Sequence, residues 1–181
     1  LSAELTKIRA RSRKLSRQNN LGHRYISLLQ NNIVGERGVQ VQSQVKMPRN
    51  DRFDDKANKV IEAAFQRWCE RECDFAGNLT FVDFQHAIMA ALATDGEAVI
   101  RKHVGEGFGK HGFQLELVDP EKLDVTKSQN NIRLGVERDM RGRAVRYWFK
   151  ELRGYNPTRD PYSKDYEWTE PASNILHLYI C

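Results

Sequence analysis

The glycine-rich stretch from Gly107 to Gly112 matches the G-x-G-x-x-G pattern of a dinucleotide-binding loop. Such a loop needs a helix directly after the glycines, because the free amides of the helix N-terminus bind the pyrophosphate. Residues 113–118 continue instead as an alternating strand pattern, and Lys110 is followed by His111 where a phosphate loop needs Ser or Thr. The stretch therefore predicts a flexible hairpin loop, and we expect no cofactor.

Carboxylates near the ends of predicted strands are the side chains that Mg²⁺-dependent phosphodiester chemistry would use. They are Asp95, Glu97, Asp119, Glu121 and Asp124. A restriction-type nuclease also needs a Lys two residues after one of its acids, to stabilise the developing charge on the phosphate. No Asp or Glu from Asp95 onwards has that spacing. We interpret these acids as turn residues and predict neither a metal site nor catalysis.

Cys69 and Cys73 lie one helical turn apart, a spacing that could present two thiolates to zinc. The histidines that could complete the site are scattered along the chain: His86, His103 and His111. We therefore predict buried free thiols. His177 lies in an apolar strand pattern, which favours a buried, hydrogen-bonded histidine over a catalytic base.

Basic side chains near the N-terminus are the remaining candidates for a functional site. Arg9, Arg13 and Arg17 are four residues apart and share one side of a predicted helix. The candidate subunit-contact or phosphate-contact residues are Arg9, Arg11, Arg13, Lys14, Arg17 and Arg24. Such a row could neutralise phosphates without reading bases, or it could be a solvated face that meets acids of a neighbouring subunit.

Charge is distributed unevenly along the 181 residues. The net charge is +5, yet residues 1–50 alone carry ten Lys and Arg against two Asp and Glu. This asymmetry predicts a basic end that meets a polyanion or an acidic partner.

The composition predicts a globular protein made in a reducing compartment. Hydrophobic residues make up 40% of the chain, and 12 Gly and 5 Pro are too few for a low-complexity segment. Three cysteines do not make a disulfide scaffold, and no apolar stretch suits a membrane span or a signal peptide. We expect cytoplasmic synthesis and no membrane partner. No turn or polar residues follow the apolar run that ends at Cys181, so we expect a fragment of a longer protein.

Hydrophobic periodicity predicts the elements that carry these residues. The predicted helices span 3–17, 21–33, 55–71 and 81–94. The predicted strands span 39–47, 98–104, 113–118, 132–138, 144–152 and 175–180, with a hairpin turn at 139–142 and an exposed loop at 157–161. Helices first and strands later indicate an α+β fold, in which N-terminal helices pack on a mostly antiparallel sheet. We divide the chain into a basic helical segment, 1–35, and an α+β domain, 36–181.

A series of short motifs resembles the N-terminal part of lambda-family phage portal proteins. The N-terminal motifs are Arg9-Ala10-Arg11-Ser12-Arg13, Arg17, Asn19-Asn20, Asn32-Ile33-Val34-Gly35 and Gly38. The central motifs are Trp68, Gly77-Asn78-Leu79-Thr80-Phe81, Asp95-Gly96-Glu97 and Leu117-Val118-Asp119-Pro120-Glu121-Lys122-Leu123-Asp124. The last are Ile132-Arg133-Leu134-Gly135-Val136-Glu137, Asp139, Gly142-Arg143, Tyr147 and Ile175-Leu176-His177. The resemblance rests on the order and spacing of these motifs, and it extends from about residue 9 to residue 179.

The resemblance implies a non-enzymatic subunit of a ring, typically dodecameric, at one vertex of a phage head. DNA would enter and leave the head through this ring, and the terminase motor, the capsid and head-tail connector proteins would bind to it. The implied location is the virion, and this chain would be most of the first half of the wing, with stem, clip and channel loop beyond Cys181.

Two departures from the family pattern bear on the resemblance. Leu21-Gly22 stands where the family often has Pro after the Asn, and residues 105–112 look like a variable insertion, to which no function transfers. The alternative functions are a stand-alone nucleic-acid-binding domain and, more distantly, an Mg²⁺-dependent nuclease.

Overall fold

The computed structural model describes residues 2–48, 50–151 and 167–179. The chain divides into two compact units. The first contains residues 1–24, 91–102 and 117–181, and the second contains residues 25–90 and 103–116. Within the described ranges, no helix is long and apolar enough to cross a membrane.

In the described part of the chain, four α-helices form where the hydrophobic periodicity predicts them. They are α1 (Ser2–Gln18), α2 (Asn20–Leu29), α3 (Asp55–Arg71) and α4 (Phe81–Asp95). The predicted break between the first two helices is confirmed, because the Asn19 side chain accepts hydrogen bonds from the amides of Leu21 and Gly22. The second helix ends earlier than predicted, and residues Gln30–Val34 form a π-helical turn.

Helices α3 and α4 begin with local capping interactions. Asp54 accepts a hydrogen bond from the Ala57 amide at the start of α3. Thr80 and Asp83 bind each other's backbone amides at the start of α4, as a capping box does. The three-residue spacing of Thr80 and Asp83 predicts such a cap, and these hydrogen bonds confirm it.

Among the residues that the structure describes, seven strands form two sheets. The strands are β1 (Glu97–Val104), β2 (Phe113–Val118), β3 (Ile132–Arg133), β4 (Val136–Arg138), β5 (Ala144–Lys150), β6 (Glu167–Pro171) and β7 (Ile175–Tyr179). One sheet has the order β2-β1-β7 and the other β3-β4-β5-β6. The β1–β7 pair and all three pairs of the four-stranded sheet are antiparallel, which confirms the predicted α+β class.

The core of the first unit contains side chains from both sheets. Its buried members are Val99, Val118, Leu123, Val136, Tyr147, Phe149 and Ile175. In the second unit, Trp68 is 7% exposed and stacks on Phe65 and Phe113. The apolar spacing of residues 55–71 and 81–94 predicts that Trp68 is buried against Phe84 and Ile88. The burial is confirmed, but its ring contact on α4 is Phe81, at 5.3 Å between centroids.

The predicted strand 39–47 is wrong. This segment is irregular apart from one isolated bridge between Lys46 and Phe53. Its backbone amides bind helix side chains: Val39 donates to Gln85 at 2.8 Å, Ser43 to Glu62 at 2.9 Å and Val45 to Asn58 at 2.8 Å. The alternating valines indicate extended chain, but side chains take the place of a partner strand.

The predicted strand 132–138 is divided into β3 and β4 by a turn at Leu134 and Gly135, which both have positive φ. A Cβ on Gly135 would lie 2.8 Å from the Asp124 carbonyl oxygen, so only glycine fits this turn without a shift. Strand β6 was not predicted. The predicted 157–161 loop lies outside the described residues. The 139–142 turn is confirmed by the bond from the Asp139 amide to the Arg143 carbonyl.

The glycine-rich residues 105–112 connect β1 to β2, and the Gly105 amide donates to the Gly112 carbonyl at 3.0 Å. A strand follows the glycines where a dinucleotide site needs a helix, as the sequence predicts.

Candidate functional site

The inward face of α1 presents two arginines, one helical turn apart, to carboxylates of the first unit. Arg9 is 4% exposed, pairs with Glu97 and donates to the Pro120 carbonyl at 3.4 Å. A guanidinium is well suited to such a position because its planar donors match carboxylate geometry and its charge is permanent.

Arg13 binds three carboxylates at once. Its Nε and Nη2 atoms donate to the two oxygens of Asp95 at 2.6 and 2.9 Å, a bidentate pair. Nη2 also donates to Asp119 Oδ1 at 2.7 Å, and Nη1 lies 3.4 Å from Glu121 Oε1. We call these two arginines and their carboxylates, Asp95, Glu97, Asp119 and Glu121, the latch.

The acids of the latch come from the ends of three elements. Asp95 is the last residue of α4, and Glu97 is the first residue of β1. Asp119 follows β2 and caps the short 3-10 turn Pro120–Lys122 by accepting from the Glu121 amide. The turn role that the sequence predicts for Asp119 is confirmed, and the same residue also binds Arg13.

The electrostatics of the latch favour its charged forms. The hydrogen bond to Asp95 raises the pKa of Arg13, against the opposing effect of burial. Burial acts to raise the pKa of Glu97, but the hydrogen bond with His177 and the charge of Arg9 outweigh it, and the pKa is lowered. The pKa of Asp119 is lowered in the same way, with burial outweighed by Arg13 and the Glu121 amide.

His177 lies beside the latch on β7. Its Nε2 atom is 2.8 Å from Glu97 Oε2, and its side chain is 10% exposed. Its ring packs edge-on against Tyr147. This agrees with the prediction of a buried, hydrogen-bonded histidine.

The other candidate cations are not part of the latch. Arg11, Lys14, Arg17 and Arg24 are exposed. The structure therefore divides the six candidate cations into two inward arginines, Arg9 and Arg13, and four exposed cations. Their role as subunit or phosphate contacts stays a prediction.

The partners of Arg9 and Arg13 were not predicted from the sequence. The acids that bind them lie 82 to 108 residues further along the chain, and the spacing of nearby residues does not indicate such distant pairs. The carboxylates considered for Mg²⁺ are instead paired with cations: four lie in the latch, and Asp124 pairs with Lys150 at 3.4 Å. Within the described ranges, no group of three His, Cys, Asp or Glu side chains is placed to hold a metal.

Cys73, His103 and His86 have structural partners, while Cys69 is a free thiol that is half-buried rather than buried as predicted. Cys73 is fully buried and its thiol lies 3.6 and 3.5 Å from the Cys69 and Leu79 carbonyls. Burial raises the pKa of Cys73 to about 11. His103 binds Glu116 at 2.8 Å, and His86 binds the Gly35 carbonyl at 3.0 Å.

Comparison with known proteins gives the family. The sequence model described as "Phage portal protein, lambda family" matches residues 1–180. A probable portal protein of Halomonas phage phiHAP-1 is 29% identical over 199 aligned positions, which cover 94% of this chain and 38% of that protein. The chain thus spans about two fifths of the length of this relative. Because the family match extends over nearly every residue, the chain belongs to the lambda family of phage portal proteins.

Proposed function

We propose that this chain is part of the subunit of a phage portal ring, the conduit through which DNA enters the head during packaging and leaves it at infection. The observation that carries the proposal is the family match over residues 1–180. The similarity to a probable portal protein of Halomonas phage phiHAP-1 supports it.

In the ring, this chain is the wing portion of each subunit, and neighbouring copies of the full-length protein are its first partners. The terminase motor, the capsid and the head-tail connectors bind the assembled ring, which is typically dodecameric in the family. Residues 1–35 serve as a basic segment that contacts a partner, and residues 36–181 as the wing body. The charge surplus of residues 1–50 supports this division of roles.

The role is structural, without catalysis by this chain, and its place is the virion after synthesis in the bacterial cytoplasm. The pairing of candidate metal-binding acids with Arg9 and Arg13 supports the absence of nuclease chemistry. Incubation with DNA, ATP and Mg²⁺ should leave both substrates unchanged. Cleavage that disappears in Asp119→Ala would favour the nuclease alternative.

A second candidate function is a stand-alone nucleic-acid-binding domain. The observation in its favour is the outward set of cations, Arg11, Lys14, Arg17 and Arg24. Such a domain binds DNA tightly, with an affinity that falls steeply as salt rises.

A gene deletion separates the two candidates. Phage without the full-length gene should produce heads that contain no DNA, and a plasmid copy should restore packaged heads. Packaged heads in the deletion strain would contradict the portal proposal and leave the nucleic-acid-binding domain.

A further inference from the structure

Helix α1 is held to the first unit mainly by charge. Arg9 is the buried residue among positions 4–18, while the apolar side chains of Ile8 and Leu15 are 60% and 57% exposed. The long-range ion pairs of α1 run from Arg9 and Arg13. Since Leu5 is half-buried while Ile8 and Leu15 are mostly exposed, complementary charge directs where α1 docks.

The four carboxylates of the latch are partly buried, and the arginine pair compensates their negative charge. The side chains of Asp95 and Glu97 are 6% and 14% exposed, and those of Asp119 and Glu121 are 27% and 28% exposed. Removing the cation from a buried ion pair is strongly destabilising, because a carboxylate is then left without compensation. We call these four carboxylates the cleft, and they bind a guanidinium pair whichever chain supplies it.

The junction between α1 and α2 is a bend through which helical hydrogen bonds continue. The Asn19 amide donates to the Leu15 carbonyl at 3.0 Å, and the His23 amide donates to the Asn19 carbonyl at 3.0 Å. A Cβ on Gly22 would lie 3.0 Å from the Leu15 oxygen. In a straight helix Leu15 and Gly22 are about 10 Å apart along the axis. The close approach therefore shows that the chain bends between them. A straightened junction would extend residues 2–29 into one helix about 42 Å long.

We propose that α1 exchanges between neighbouring copies, so that Arg9 and Arg13 of one copy bind the Asp95–Glu97–Asp119–Glu121 cleft of the next. The inference rests on the proposed ring, since a ring holds the neighbour's cleft within reach. The same charge pairs form in either arrangement, and the bend at Asn19 supplies the hinge that such an exchange needs. The occupant of the cleft in the assembly is thus a second copy of this chain.

Charge reversal in mixed rings tests the exchange on the full-length protein. One variant carries Arg9→Glu and Arg13→Glu, and the other carries Asp95→Lys and Asp119→Lys. Each alone should lower the ring yield at least about tenfold, because like charges then meet in every latch. The equal mixture should recover most of that yield, because each reversed helix meets a reversed cleft on its neighbour.

A chain with all four reversals is the matched control, because its latch is complementary within one copy and between copies. If this control forms rings and the mixture forms none, α1 docks on its own copy. That result would overturn the exchange and leave the proposed ring unaffected. Normal rings from either two-residue variant would also overturn it. If the unaltered full-length protein forms no rings, the proposed function itself fails.

Gly22→Ala gives a second readout that keeps the charges of the latch unchanged. The added Cβ opposes the bend, so a larger fraction of disassembled subunits should form dimers and higher species at the same concentration. These species should dissociate in about 1 M salt, where screening reaches about 3 Å. Gln18→Ala is the control, since it raises helix propensity beside Asn19 without adding an atom against the Leu15 carbonyl. An unchanged monomer fraction in Gly22→Ala would overturn the exchange.

Discussion

Trp68 joins the aromatic cluster of the second unit to the backbone of β2. Its ring contacts Phe65, Phe81 and Phe113, and its indole Nε1 donates to the Phe113 carbonyl at 2.8 Å. The amphipathic spacing of α3 predicted its burial. The hydrogen bond joins residues 45 positions apart, so sequence spacing alone gave no signal for it.

Trp68→Ala should lower the free energy of unfolding by ~3–5 kcal/mol, because it empties a large aromatic site. Urea denaturation of the chain measures this loss. Trp68→Phe is the matched control: it keeps a ring and loses the indole donor, at a cost of ~1–3 kcal/mol for the unpaired carbonyl. A loss below about 1 kcal/mol in Trp68→Ala would contradict the packing described for α3.

Asn58 fixes the irregular segment that precedes α3. Its Oδ1 accepts from the Ser43 hydroxyl and the Val45 amide, and its Nδ2 donates to the Val45 carbonyl at 3.2 Å. Asn58→Ala should cost ~1–3 kcal/mol and speed hydrogen exchange of the Val45 amide. Asn58→Asp keeps the acceptor and should retain more of that protection. Equal exchange in all three proteins would mean that another group holds the segment.

At the scale of elements, local signals predicted the helices well. The bounds of α3, the α4 capping box and the break at Asn19 all depend on residues within one or two turns of each other. The structures that the strand predictions missed depend on distant groups instead. The backbone of residues 39–47 binds Asn58, Glu62 and Gln85, and the turn that divides 132–138 packs Gly135 on the Asp124 backbone. A period-2 pattern predicts an extended chain. It does not distinguish a backbone that pairs with another strand from one that binds side chains.

The latch should make docking of α1 sensitive to acid. The folded pKa values of Glu97 and Asp119 are lowered, so the unfolded chain binds more protons in this range. The stabilisation is fully present above the ordinary carboxyl pKa, about 4, and is lost as the pH falls through the lower folded values. Urea unfolding between pH 7 and acid should show this decrease.

Two neutral variants identify the groups responsible for the pH dependence. Glu97→Gln and Asp119→Asn should each lower stability at neutral pH and flatten its fall in acid. Asp51→Asn is the control, because the Asp51 side chain is 97% exposed and lies outside the latch. If the parent and both latch variants have the same slope, the latch does not couple protonation to folding.

At the scale of the whole molecule, the basic N-terminal charge is partly neutralised within the chain. Of the six candidate cations, Arg9 and Arg13 bind carboxylates, and the other four are exposed: Arg11, Lys14, Arg17 and Arg24. Binding of the isolated chain to duplex DNA should therefore be weak at physiological salt, with a Kd of ~10⁻⁴–10⁻⁶ M. Fluorescence anisotropy measures it. Nanomolar binding that Arg11→Glu with Lys14→Glu abolishes would favour the nucleic-acid-binding alternative.

The portal assignment is tested most directly by electron microscopy of the purified full-length gene product. We expect closed rings with a central channel, built from copies of one chain. Full-length protein that stays monomeric under conditions where it is folded, with no ring in the images, would contradict the claim that this chain is part of a portal subunit.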